Sequence, residues 1–206
     1  MKEYPILFST PMVQAILEGR KTQTRRVIQP QPKVINKHDF KWKNLCYSGM
    51  TEIHGGTFRL QNPYGWPGDL LWVRETFQII PPNSIFYKAD KENKVKKGWK
   101  PSIHMPKEAA RIWLQIKDVR VERLQQISYA DAKAEGVEYP HNFYDLWLKI
   151  NGPLSWDANP WVWVVEFEVV STTGKPEMYS SHGNLLVEPR TYGADAINMN
   201  TETKNL

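Results

Sequence analysis

The segment Gly19-Arg20-Lys21-Thr22-Gln23-Thr24-Arg25-Arg26 gathers four cations and two hydroxyls within eight residues. Lysine and arginine in such a cluster can grip a phosphate or a carboxylate. A lysine that is partly desolvated among other cations loses its proton more readily, so Lys21 can act as a general base or activate a neighbouring hydroxyl. Thr22 and Thr24 share a face of an extended strand, whereas Lys21 and Thr24 do not, so the pair needs a turn or bulge between them to meet. The plainer reading is a solvated basic edge strand.

Glu75 is the second residue of interest. In Leu70-Leu71-Trp72-Val73-Arg74-Glu75-Thr76-Phe77, alternation places Glu75 with Leu71, Val73 and Phe77, and Trp72, Arg74 and Thr76 opposite. A carboxylate on an apolar face has its pKa raised toward a general-acid range. It serves equally well as a structural ion-pair partner for an arginine. Trp66, beside the Pro67-Gly68-Asp69 corner, is placed to stack a base next to the basic segment. Trp113, Trp147, Trp161 and Trp163 fall in periodic segments and read as core. The five histidines lie at no metal-ligand spacing, and there is no HExxH, CxxC, glycine-rich phosphate loop or nucleophile elbow. No metal or other cofactor is expected.

These residues must be positioned by the elements around them. Residues 4–8 read as a first strand. Thr10 reads as the N-cap of a helix with Pro11 at its first position, Met12, Val13, Ile16 and Leu17 at helical spacing, and Gly19 as its stop. The basic segment leads into a strand ending near Ile28. Residues 29–65 loosen into an inserted hairpin on a long excursion. The Gly68-Asp69 turn opens the strand that carries Glu75, and residues 85–88 form a short strand running into a lysine-rich turn. Residues 111–124 form one long bent strand or two short ones. Ser128 and Asp131 make a capping box for a helix that Gly136 ends. A further helix covers 143–150, and 161–169 is the clearest strand, with Trp161, Trp163, Val165, Phe167 and Val169 on one face.

The whole chain has 206 residues, 41% of them hydrophobic, and nine tryptophans, which is enough apolar surface for one folded domain. A formal charge of +5 suits a polyanionic partner without demonstrating one. A single cysteine, Cys46, excludes an intrachain disulfide framework, and a reducing compartment fits. No run reaches membrane-spanning length, and the short apolar stretch before Pro11 does not make a signal peptide. The expected location is the cytoplasm, with no membrane partner. After residue 170 the sequence turns polar and loses its period, which predicts a flexible tail over 171–206.

On two of these segments the chain resembles the ASCH family, a branch of the PUA-like β-barrel superfamily. Gly19, Lys21, Thr24 and Arg26 match the family's Gly-x-Lys-x-x-(acidic or Thr)-x-Arg pattern, and Gly68-Asp69 leading to Glu75 matches its second mark. The likeness covers roughly residues 4–170. It is nearest to the longer ASCH proteins of bacteriophages and prophages. The resemblance implies an α+β fold: a PUA-like barrel over 1–170 with a few short flanking helices, interrupted by the insertion at about 29–65. One compact bacterial branch of the family hydrolyses the acetyl amide of N(4)-acetylcytidine. Matched by motif, its proton acceptor, nucleophile and proton donor fall on Lys21, Thr24 and Glu75, with Arg26, Thr22, Arg25, Trp66 and Arg74 expected to bind substrate. The present chain is much longer than that branch and differs around Arg74-Glu75-Thr76-Phe77. The expected activity is hydrolysis of a modified nucleoside or nucleobase of the acylcytidine kind. The alternatives are a non-catalytic RNA-binding module and a ribonuclease using the same cleft.

Overall fold

A computed structural model describes residues 1–34, 40–43, 45–47, 62–82, 84–92, 95 and 97–177. The chain divides into a body, Met1–Lys175, and a second unit, Pro176–Leu206. Most of the expected polar tail, from residue 178 onward, lies outside the described residues.

The body is a mixed α+β structure. Its central sheet has five strands in the order β1 (Glu3–Leu7), β6 (Leu70–Arg74), β9 (Trp113–Arg123), β10 (Trp161–Ser171) and β2 (Gln23–Val27). Only the β1–β6 pairing is parallel, and the other three are antiparallel. The ladders leave β1 and β2 as the two edges. A side chain spans them, because the Arg26 Nη2 of β2 donates to the Leu7 carbonyl of β1 at 2.5 Å. β3 (Lys33–Val34), β4 (Phe40–Trp42) and β5 (Leu45–Tyr47) form a small antiparallel sheet within the expected insertion. Trp42 anchors it: the ring is buried, donates from Nε1 to the Pro30 carbonyl at 2.6 Å and meets Trp163 edge-on. Residues 48–61 of that insertion lie outside the described residues. β7 (Phe77–Ile80) and β8 (Ser84–Tyr87) form a hairpin.

Both faces of β10 are buried, so its near-continuous apolar run is explained. Trp163, Val165 and Phe167 join Ile6, Leu71, Val73, Leu114 and Ile116 in the main core, covered by Val13 and Ile16 of helix α1 (Thr10–Leu17). Val162 and Val164, on the opposite face, pack with Phe143 and Trp147 of helix α3 (Pro140–Asn151) and with Ala132 of helix α2 (Tyr129–Ala134). The N-cap of α1 is Ser9 rather than Thr10, so Thr10 is already helical and Pro11 sits one position later than expected. The bend expected in 111–124 is a bulge: Glu166 faces Asp118 while Phe167 faces Ile116, which leaves Lys117 without a partner in the register. β10 runs to Ser171, and the body continues beyond it, with the Gly174 N–H donating to the Arg111 carbonyl and Lys175 paired with Glu3.

The capping box of α2 is present as expected. Asp131 accepts from the Ser128 N–H at 3.0 Å and from its hydroxyl at 2.7 Å, and the Asp131 N–H donates back to Ser128 Oγ at 3.1 Å. Asp131 also lies 3.3 Å from Arg25 and 3.1 Å from Arg120. Burial raises its pKa, but the Ser128 hydrogen bonds and the Arg25 charge outweigh that and draw it down to about 2. A carboxylate depressed this far stabilises the fold above its unfolded pKa and loses that contribution as pH falls through the folded value. The loss amounts to about 2 kcal/mol. We expect Asp131→Asn to lower stability by about that much at pH 7 and to flatten the decline between about pH 4 and pH 2, measured by urea denaturation across pH. An unchanged slope in the variant would show that other carboxylates carry the acid sensitivity.

Candidate functional site

The basic segment is held between three elements. Gly19 closes α1 in the left-handed conformation at φ 71°, and the Arg20 and Lys21 N–H groups both donate to the Ala15 carbonyl. The Thr22 N–H donates to the Ala134 carbonyl at the end of α2, and the Thr22 carbonyl accepts from the Phe167 N–H of β10. Lys21 therefore precedes β2 rather than lying in it. Strand alternation does not bind it, which resolves the face conflict between Lys21 and Thr24. Within β2, Thr24 pairs with Val165 and Arg26 with Trp163, which belong to the main core.

Lys21 is 2% exposed. Its Nζ donates to the Gln23 carbonyl at 2.7 Å, to the Glu135 carbonyl at 2.9 Å and to Glu135 Oε2 at 2.9 Å, and it lies 5.6 Å from the Phe8 ring centroid. Burial pushes its pKa down from the ordinary lysine value. The Glu135 charge and hydrogen bond oppose this, and the Arg26 and Arg25 charges reinforce it. Glu135 is the C-cap of α2 and is itself 4% exposed. Its other carboxylate oxygen lies 3.3 Å from Arg25 Nη1. The Arg25 side chain is fully enclosed and is further bound to Glu122 at 3.0 Å and Asp131 at 3.3 Å. An acid beside a helix-ending glycine faces the negative end of the helix dipole, so it needs a cation close by. Two are there. Glu135 carried no expectation from the sequence, and its unfavourable place on the dipole is the signal that would have marked it.

These groups border a cavity of about 700 Å³. Lys21, Thr24, Arg26 and Glu135 line it with Phe8, Ser9, Thr76 and Ser102, and α3 contributes Phe143, Leu146, Trp147 and Ile150. Thr24 is buried. The indole N–H of Trp147 is buried with no acceptor among the described residues. A second cavity, of about 440 Å³, is bordered by Gln29, Trp42, Lys43, Pro63, Tyr64 and Trp163 and shares Arg26, Val27 and Asn151 with the first.

Glu75 borders neither cavity. β6 ends at Arg74, so Glu75 lies just beyond the strand rather than within it. The expected alternation of burial still carries through, with Glu75 1% exposed between buried Val73 and Phe77. Arg111 holds both carboxylate oxygens, Nε to Oε1 at 2.9 Å and Nη2 to Oε2 at 3.1 Å. Arg111 in turn stacks on Tyr87 and reaches Asp90 at 2.6 Å. Burial raises the Glu75 pKa, and the Arg111 hydrogen bonds and charge oppose it. Of the expected substrate-binding residues, Arg26 borders both cavities. Arg25 borders the larger one, with its guanidinium engaged by internal carboxylates. Thr22 is exposed, and Thr22, Trp66 and Arg74 border neither cavity. The Trp66 N–H donates to Asp69, and the Arg74 guanidinium donates to the Ile103 carbonyl and lies 5.4 Å from the Trp72 ring. Among the described residues no group of three or more His, Cys, Asp and Glu is placed to hold a metal ion. No helix among them is long and apolar enough to cross a membrane.

Compared with protein-family models the chain matches none, and no curated protein matches it. Among solved structures, the crystal structure of protein EF3133 from Enterococcus faecalis V583, of family-model DUF984, is similar over 87% of this chain and 87% of that one. The identity is 11% and the TM-score 0.42. A likeness at that level says nothing of function.

Proposed function

We propose that this protein is a hydrolase of the amidohydrolase type that acts on a modified nucleoside or nucleobase of the N(4)-acylcytidine kind. The observation that carries the reading is the buried Lys21–Glu135 pair on the wall of a cavity that Thr24 also lines. A buried ion pair contributes little to stability for what its desolvation costs, and such pairs recur where a pKa must be tuned. The cavity's volume lies in the range of small-molecule sites.

In this reading a proton passes from the Lys21 ammonium to the Glu135 carboxylate as substrate excludes water, because a desolvated wall favours the two neutral forms. The Lys21 amine then takes the Thr24 hydroxyl proton while Oγ1 attacks the amide carbonyl carbon. As the C–N bond breaks, the Glu135 carboxylic acid gives its proton to the leaving amine and the acyl group remains as a threonine ester. Lys21 passes its proton to Glu135 again and deprotonates a water molecule, which attacks the ester. The carboxylic acid leaves as Glu135 protonates the departing Thr24 oxygen. Glu135 thus takes the part that the family resemblance assigns to Glu75, and Glu75 orients Arg111 instead. Closure of the sheet into a PUA-like barrel, supported by the Arg26–Leu7 bridge between its edges, and a cytoplasmic location belong to the same reading.

The test is a screen of the purified protein against N(4)-acylated cytidines, beside short RNAs. Thr24→Ala is expected to abolish hydrolysis. Lys21→Arg keeps the charge but cannot lose a proton near neutral pH, so turnover should collapse while substrate affinity changes little. Glu75→Gln should lower the melting temperature and spare most of the turnover. RNA binding with a steep salt dependence, together with no hydrolysis by the unmutated protein, would overturn the enzyme in favour of an RNA-binding module.

A further inference from the structure

The cations of the basic segment are not equivalent. Lys21 and Arg25 are both held by internal carboxylates. Arg26 has no carboxylate partner among the described residues. Its Nη2 is bound to the neutral Leu7 carbonyl, its face lies 5.3 Å from the Phe8 ring centroid, and its Nε–H is buried with no acceptor. A partly buried cation with no carboxylate in contact, only the more distant Glu135 charge acting on it, is costly, and its unmet Nε–H suits an oxyanion.

Arg26 borders both cavities. The second one adds a further cation, the exposed Lys43, with the polar side chains of Gln29, Tyr64 and Asn151. Among the described residues no acidic side chain borders it. We propose that this second cavity is a phosphate subsite, so that the substrate is a nucleotide whose base enters the larger cavity and whose phosphate lies against Arg26. The proposal rests on reading the larger cavity as a nucleoside site, and it divides the basic segment into Lys21 for chemistry, Arg25 for support and Arg26 for recognition. A simple carboxylate would also pair with Arg26, but a cavity of about 440 Å³ with a second cation is larger than a carboxylate needs.

Calorimetric titration of the full chain with cytidine, cytidine 5′-monophosphate, the dinucleotide CpC and inorganic phosphate tests this without requiring catalysis. The monophosphate is expected to bind at least about tenfold more tightly than cytidine, with the advantage shrinking as salt rises. Arg26→Met should remove that advantage, while Arg26→Lys should keep part of it. Because Arg26 also bridges the sheet edges, Lys43→Ala at an exposed position is the second variant, expected to reduce the advantage without lowering the melting temperature. Tighter binding of CpC than of the monophosphate would assign the phosphate to an RNA strand, and the reverse to a free nucleotide. Either outcome supports the subsite. Equal affinity for cytidine and its monophosphate, an advantage that survives Arg26→Met, or no binding of any of the four probes would overturn it. Phosphate binding that depends on Arg26, without hydrolysis of acylcytidines, would leave the subsite standing and reject the proposed reaction. Hydrolysis indifferent to the phosphate would do the opposite.

Discussion

Glu135→Gln is expected to destabilise the fold by about 3 kcal/mol and to reduce hydrolysis by about 100-fold or more. Glutamine keeps the shape and can still accept from Lys21, so the loss reports charge. Two buried cations, Lys21 and Arg25, lie on the Glu135 carboxylate at 2.9 Å and 3.3 Å, and removing one partner of a buried pair leaves the other uncompensated. Arg25 keeps Glu122 and Asp131, so most of the penalty falls on Lys21. Its ammonium, already pushed down by burial, loses the charge that holds its proton. The double variant Lys21→Met/Glu135→Met removes both charges at once and is expected to regain most of the stability, because an apolar pair of similar volume replaces a buried ion pair at little cost. It should regain none of the activity. Urea midpoints and acylcytidine turnover on the three proteins check this. A Glu135→Gln protein that hydrolyses at the wild-type rate would remove Glu135 from the reaction.

Gly136→Ala is expected to cost about 2 to 4 kcal/mol, a fall in melting temperature of roughly 5 to 10 °C. Gly136 ends α2 at φ 86°, where a side chain is strained whatever the space. The space is also taken: an added Cβ would lie 2.9 Å from Ala15 Cβ and 2.9 Å from Lys21 Cβ. Relief requires α1 or Lys21 to move, and Lys21 carries the proton transfer, so turnover should fall more steeply than stability alone explains. Gly152→Ala is the control. It has a similar φ of 95° but nothing within 4 Å of the added atom, and it should show the backbone cost without the loss of activity. Equal effects of the two substitutions on turnover would mean that the contact with Lys21 is immaterial. Thermal melts and initial rates measured together decide it.

The local parts of this protein were legible in its sequence because local physics sets them. The Ser128–Asp131 capping box, the stop at Gly19 and the buried alternation of Leu71, Val73, Glu75 and Phe77 depend on hydrogen bonds and side-chain directions within a few residues. Lys21 and Thr24 border one cavity because they stand three positions apart where the chain leaves a short helix and enters β2. What the tertiary structure decided is which charges meet. Glu135 reaches Lys21 across 114 positions because the end of α2 lies against the chain as it leaves α1, and Glu75 is taken by Arg111 from a different strand region. Periodicity places a carboxylate on a face but not opposite a particular cation. Five strands paired out of sequence order bring those faces together, so the identity of each charge's partner, and with it the division of labour among Lys21, Arg25 and Arg26, exists only in the folded chain.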